Sequence, residues 1–145
     1  MDITTSTSPV KNIMTDHLYV LNIKDPITKA VQMFREHHIR HLPVVNNNQI
    51  VGIMSKTDVL RLSFGDNFFD DTDLTFVETL KTEDVMRRNP HTVNENECIR
   101  DVARKLMNED FHALPVVNEK GICGILTTTD IIQYFLDLKT ECNHD

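Results

Sequence analysis

HLPVVNNNQIVGIMSKTD, residues 41–58, returns 72 positions later as ALPVVNEKGICGILTTTD, residues 113–130. Each copy holds two short apolar, β-branched runs separated by a polar turn, Asn46-Asn47-Asn48-Gln49 in one and Asn118-Glu119-Lys120-Gly121 in the other. Runs of this kind joined by such a turn predict a β-hairpin. Working outward, the same shift aligns Val10–Arg61 with Thr82–Gln133 without a gap, and 13 of 52 pairs are identical. Average composition would give about three. The chain is an internal duplication, which must be read before any single element.

Each copy predicts the same elements around its hairpin. Asp25-Pro26 reads as an N-cap and first-turn proline, and Ile27, Ala30, Val31 and Phe34 then form one apolar stripe at helical spacing. Ile99, Val102, Ala103 and Leu106 repeat the stripe. A second helix is expected near Thr57 or Thr129, with Val59, Leu60, Ile131, Ile132 and Phe135 on its buried side. Strands at Tyr19–Leu21 and Thr92–Val93 complete a βαββα unit. The predicted class is α/β (α+β), with two such repeats packed through their sheets about a pseudo-twofold axis, because about 50 residues alone bury too little surface. The expected division is a tail at 1–8, repeats at 9–62 and 81–138, a linker at 63–80 and a tail at 139–145. The linker carries Asp66, Asp70, Asp71 and Asp73 with Phe64, Phe68, Phe69 and Phe76, but no Asp-x-Asp-x-Asp-Gly calcium loop.

The totals narrow the function. A net charge of −7 over 145 residues argues against a nucleic-acid polymer as partner, although a few local cations can still hold a small anion. No apolar run is long enough to span a bilayer, and the first residues lack a signal-peptide core. Three cysteines without CxxC spacing suit a reduced, cytoplasmic protein. His37 and His41 are four apart, but the approach to Pro43 predicts a helix end near here, so they need not share a helical face and a metal site is not expected. Cys123 aligns with Val51 and reads as a small buried hydrophobe. No catalytic constellation is visible, and an enzyme is not expected.

Three pairs of motifs, VKNIM with TEDVM, RHLPVV with HALPVV, and GIMSKTD with GILTTTD, stand in the same order in both copies. Together they resemble the cystathionine-β-synthase (CBS) repeat pair, or Bateman module, over Val10 to about Leu138. The resemblance implies an adenosine-containing ligand (AMP, ADP, ATP or a relative) held in clefts between repeats, a homodimer, and control of a partner protein, with no resident cofactor.

Ser55, Thr57 and Asp58, repeated as Thr127, Thr129 and Asp130, are the candidate ligand residues. A hydroxyl at a helix N-terminus suits phosphate, and a carboxylate can accept two hydrogen bonds from a ribose diol. Gly52 would let backbone or ligand come close. The same Ser/Thr-x-x-Asp spacing is also a capping box, and both readings can hold together. By resemblance, Arg40, His41 and His112 face phosphate, while Ala113 replaces the second cation. The Asp130 site, borrowing Arg40 and His41, is therefore expected to be better equipped than the Asp58 site. The competing function is a structural dimerisation module with unliganded clefts.

Overall fold

The computed structural model describes residues 8–62, 79–110 and 112–138; the linker aromatics and aspartates lie outside them. The chain forms two compact units, Tyr19–Pro90 (the first-repeat unit) and Met1–Leu18 with His91–Asp145 (the second-repeat unit).

In the first-repeat unit, β1 (Leu21–Asn22) leads to α1 (Ile27–Glu36), then the hairpin β2 (His41–Asn46) and β3 (Gln49–Ser55), then α2 (Lys56–Leu60). After the linker come α3 (Thr82–Val85) and β4 (Arg87–Arg88). The sheet order is β1-β2-β3-β4, with β1 parallel to β2 and the other pairs antiparallel. In the second-repeat unit a 3₁₀ turn (Val10–Asn12) precedes β5 (Val93–Asn94), α4 (Ile99–Met107), β6 (Ala113–Asn118), β7 (Gly121–Thr127) and α5 (Thr128–Leu136). Its sheet runs β5-β6-β7 with the same directions. Both hairpins carry a bulge at the same step, between Val44 and Val45 and between Val116 and Val117.

The predicted stripes are the cores. Ile27, Ala30, Val31 and Phe34 of α1 are buried with Leu21, Leu42, Val44, Met54 and Val59. Ile99, Val102 and Leu106 of α4 are buried with Val93, Leu114, Val116, Leu126 and Ile131, and Ala103 packs beside them. Leu60 and Ile132 differ from expectation: both are exposed, one position past Val59 and Ile131, which take the core-facing side of their helices, with Phe135 partly buried beside Ile131. Helix α1 ends at Glu36, so His37 and His41 share no helical face.

The Asp25-Pro26 reading also needs correction. Pro26 occupies the N-cap position with extended backbone and no side-chain cap. The Asp25 carboxylate instead accepts from the Asn22 N–H at 2.8 Å, and Asn22 Oδ1 accepts from the Lys24 N–H. Glu97 and Asn94 repeat this loop, with Glu97 accepting from the Asn94 N–H. The identical pair Asn22/Asn94 is thus explained by a side chain that turns the backbone between strand and helix.

The units cut across the repeats as drawn on the sequence. Leu80 and the opening residues of the second repeat finish the first-repeat unit: Leu80 O accepts from the Ile27 N–H, Thr82 N donates to Asp25 O, and β4 pairs with β3. Ser8 and the opening residues of the first repeat finish the second-repeat unit: Val10 N donates to Glu97 O, Ile99 N to Ser8 O, and Thr15 bridges Ile125. Each lead segment ends in a methionine laid on a hairpin glycine. A Cβ on Gly52 would collide with Met86 and come 3.0 Å from the Arg87 carbonyl, and one on Gly124 would collide with Met14. The close approach read at Gly52 is therefore used by protein.

Candidate functional site

Both hairpins deliver their second strand directly into a short polar corner. Ser55 is the N-cap of α2: its Oγ accepts from the Asp58 N–H at 2.9 Å, and Asp58 Oδ2 accepts from the Ser55 N–H at 3.4 Å. Thr127 caps α5 in the same way, with Oγ1 accepting from the Asp130 N–H at 3.1 Å and Asp130 Oδ2 accepting from the Thr127 N–H at 2.9 Å. The capping reading is the observed geometry. It occupies both hydroxyls and one oxygen of each carboxylate, and leaves the other oxygen, Oδ1, to other uses.

That remaining oxygen distinguishes the two corners. At Asp58, Arg87 Nη2 donates to Oδ1 at 3.3 Å, Arg87 Nε lies 3.3 Å from Oδ2, and Arg61 Nη1 lies 3.6 Å from Oδ1. At Asp130 no ion pair forms among the described residues, and the capping bonds are the carboxylate's hydrogen bonds there. The sequence reading missed Arg87, since nothing in local spacing links β4 to α2.

The remaining candidates sit beside these corners. The Arg40 carbonyl accepts from the Lys56 N–H at 2.8 Å, and the His112 carbonyl accepts from the Thr128 N–H at 3.0 Å. Each residue's backbone is thereby tied to the first turn of the helix carrying Asp58 or Asp130. His41 is half-buried and pairs with Ser55 across the hairpin, where the second unit pairs Ala113 with Thr127. Thr57 and Thr129 are exposed on the first turns. Arg40 also borders an open hollow of ≈ 660 Å³ together with Arg35, His37, His38 and Lys56 over Phe34 and Ile39. The matching positions in the second repeat include Met107, Glu109, Asp110 and Thr128, so this cationic lining is not duplicated.

Cys123 is half-buried against the core, and its thiol donates to Glu95 at 3.5 Å. Among the described residues no cluster of His, Cys, Asp and Glu could hold a metal ion, and no helix is long and apolar enough to cross a membrane.

The CBS domain family model matches residues 10–65 and 83–137. The uncharacterized protein MJ1225 of Methanocaldococcus jannaschii is 33% identical over 66% of this chain, which spans 36% of that relative. Its crystal structure superposes with a TM-score of 0.74 over 90% of this chain and 48% of that one. CBSX2 of Arabidopsis thaliana, a chloroplastic CBS domain-containing protein, is 31% identical over 86% of this chain and 61% of the relative. A solved structure of CBSX2 superposes with a TM-score of 0.79 at 26% identity, over 93% of this chain and 99% of that one. CBSX2 has also been solved in complex with AMP, at 29% identity and a TM-score of 0.75 over 91% and 98% of the two chains. The chain thus spans about a third of the first of these relatives and well over half of the second.

Proposed function

Because this chain belongs to the CBS domain family and carries two copies of the domain, we propose that it is a regulatory module that binds an adenosine-containing ligand and modulates a partner protein. The observation that carries the reading is the Asp130 corner, where a rigidly capped carboxylate keeps one oxygen without a protein partner among the described residues. Vicinal ribose hydroxyls are donors suited to such an oxygen. The AMP complex of CBSX2 supplies the ligand class. Arg40, His41 and His112 are assigned to phosphate, and Thr129 is the exposed hydroxyl of the Asp130 corner. Control of a partner follows if the ligand binds two shapes of the module with different affinity.

Calorimetry with AMP tests this. Asp130→Asn keeps an acceptor for the Thr127 N–H but loses the charge. It should weaken AMP by roughly ten- to a hundredfold, the equivalent of about 1.5–3 kcal/mol for a bond to a charged group. Asp58→Asn should change affinity little. No AMP binding at all, or no loss with Asp130→Asn, would sink the reading. The competing reading, a dimerisation module without ligand, draws support from the engagement of the Ser55 and Thr127 hydroxyls as caps. A thermal-shift panel of nucleotides separates the two, since a ligand of the folded state raises its stability by mass action.

A further inference from the structure

Asp58 and Asp130 occupy the same step of duplicated helices and make the same cap, yet only one of them meets arginines. Arg87 lays its guanidinium edge along the Asp58 carboxylate through Nε and Nη2, each at 3.3 Å, and Arg61 adds a third nitrogen at 3.6 Å. The Asp58 side chain is left 10% exposed. The second-repeat unit has Thr15 and Gln133 at the matching positions.

Building on the function proposed above, we propose that Arg87, assisted by Arg61, is a built-in occupant of the Asp58 corner, standing where ligand hydroxyls would donate. The residue thereby decides which of two otherwise equivalent carboxylates takes an adenosine-type ligand. The chemistry favours the arginine. A guanidinium is a planar fork of N–H donors that matches a carboxylate in pairs and keeps its charge at every physiological pH. A ribose diol offers two neutral O–H donors to the same oxygens. The diol must displace charge-assisted bonds to form weaker ones, and at Asp130 it displaces none among the described residues. Both arginines are largely exposed, 67% for Arg87 and 69% for Arg61, so the contact is open to exchange with solvent and is weakened by salt. This makes the occupant removable.

The test transplants the second-repeat unit's residues into the first-repeat unit. Wild-type chain titrated with AMP should bind one nucleotide per chain, and Asp130→Asn should weaken that binding by the same roughly ten- to a hundredfold. The double variant Arg87→Thr/Arg61→Gln should bind two, the second being lost when Asp58→Asn is added. A single AMP in the double variant, or two of equal affinity in the wild type, overturns the inference while leaving the nucleotide reading standing. AMP binding to none of these proteins overturns both. An arm without ligand guards against a pair that does not form in solution. In a double-mutant cycle on thermal stability, Asp58→Asn and Arg87→Thr should be non-additive, and strict additivity would overturn the occupant role whatever AMP does.

Discussion

Thr82 carries a hydroxyl that the fold does not answer. It is fully buried at the start of α3, and its Oγ1 has no hydrogen-bond partner among the described residues. The matching position in the other lead segment is Val10, equally buried and apolar. An unsatisfied buried hydroxyl costs about 1–3 kcal/mol. Thr82→Val, nearly isosteric, should therefore raise the thermal midpoint, and an unchanged or lower midpoint in a melting curve would show the hydroxyl to be satisfied. Cys123 behaves in the opposite sense. Burial first, then the bond to Glu95 and its charge, push the thiol from 9.0 up to about 11. The folded pKa lies above the unfolded one, so its contribution to stability is complete below pH 9 and disappears as pH rises through 11. Glu95→Gln should bring the thiol down, and mass spectrometry of iodoacetamide labelling near pH 9 should find Cys123 modified faster in the variant. The alignment with Val51 made the burial of Cys123 legible. Its acidic neighbour was not, because Glu95 arrives from the loop after β5, 28 residues away in sequence.

At the scale of elements, the two hairpins reach one shape by different turns. Asn47 and Asn48 both take positive φ, 54° and 67°, as a two-residue turn of the primed kind demands, whereas the second hairpin places its positive φ on Gly121. The hairpins, the α1 and α4 stripes and the two capping boxes were legible because each is a local pattern, repeated once as a check. The exchange of lead segments between hairpins was not legible, because VKNIM and TEDVM are interchangeable by pattern. Comparing the chain with itself returns the same alignment whichever hairpin each one covers. Their methionines give a graded prediction. Gly52→Ala must displace both Met86 and the Arg87 carbonyl, while Gly124→Ala meets only the flexible Met14 side chain. Both should destabilise, Gly52→Ala more, with about 1–3 kcal/mol expected for overpacking. Chemical denaturation that ranks them the other way would contradict the β3–β4 pairing.

For the whole molecule, the large apolar residues left in solvent are, among the described residues, unevenly placed. Met107 is 82% exposed, Leu136 73% and Ile132 59%, all in the second-repeat unit, with Leu60 at 37% in the other. Val59 and Ile131 are buried within their own units, as expected of the inner side of the second helices. Self-association through Ile132 and Leu136, one turn apart on α5, is the expected use of this surface. Light scattering at micromolar concentration should give about twice the 16.7 kDa chain mass, and Ile132→Asp/Leu136→Asp should restore the monomer. A monomeric wild type would rule that use out. The candidate corners were half legible at this scale: Asp58 and Asp130 stood out as a pair, but their inequality depends on Arg87, which only the folded chain brings to α2.

The exchange of lead segments also gives the polypeptide a nested order, one unit opening before the other and closing after it. During synthesis the segment at 8–18 leaves the ribosome before its partners and has nothing to pack on until β7 and the residues after it have followed. The inner unit, whose last strand ends at Arg88, can close while the outer one is still waiting. Domains generally fold as units during translation, so the segment at 8–18 joins its unit only after the inner unit can close. Any change that slows the inner unit holds Met14 and its neighbours exposed for longer.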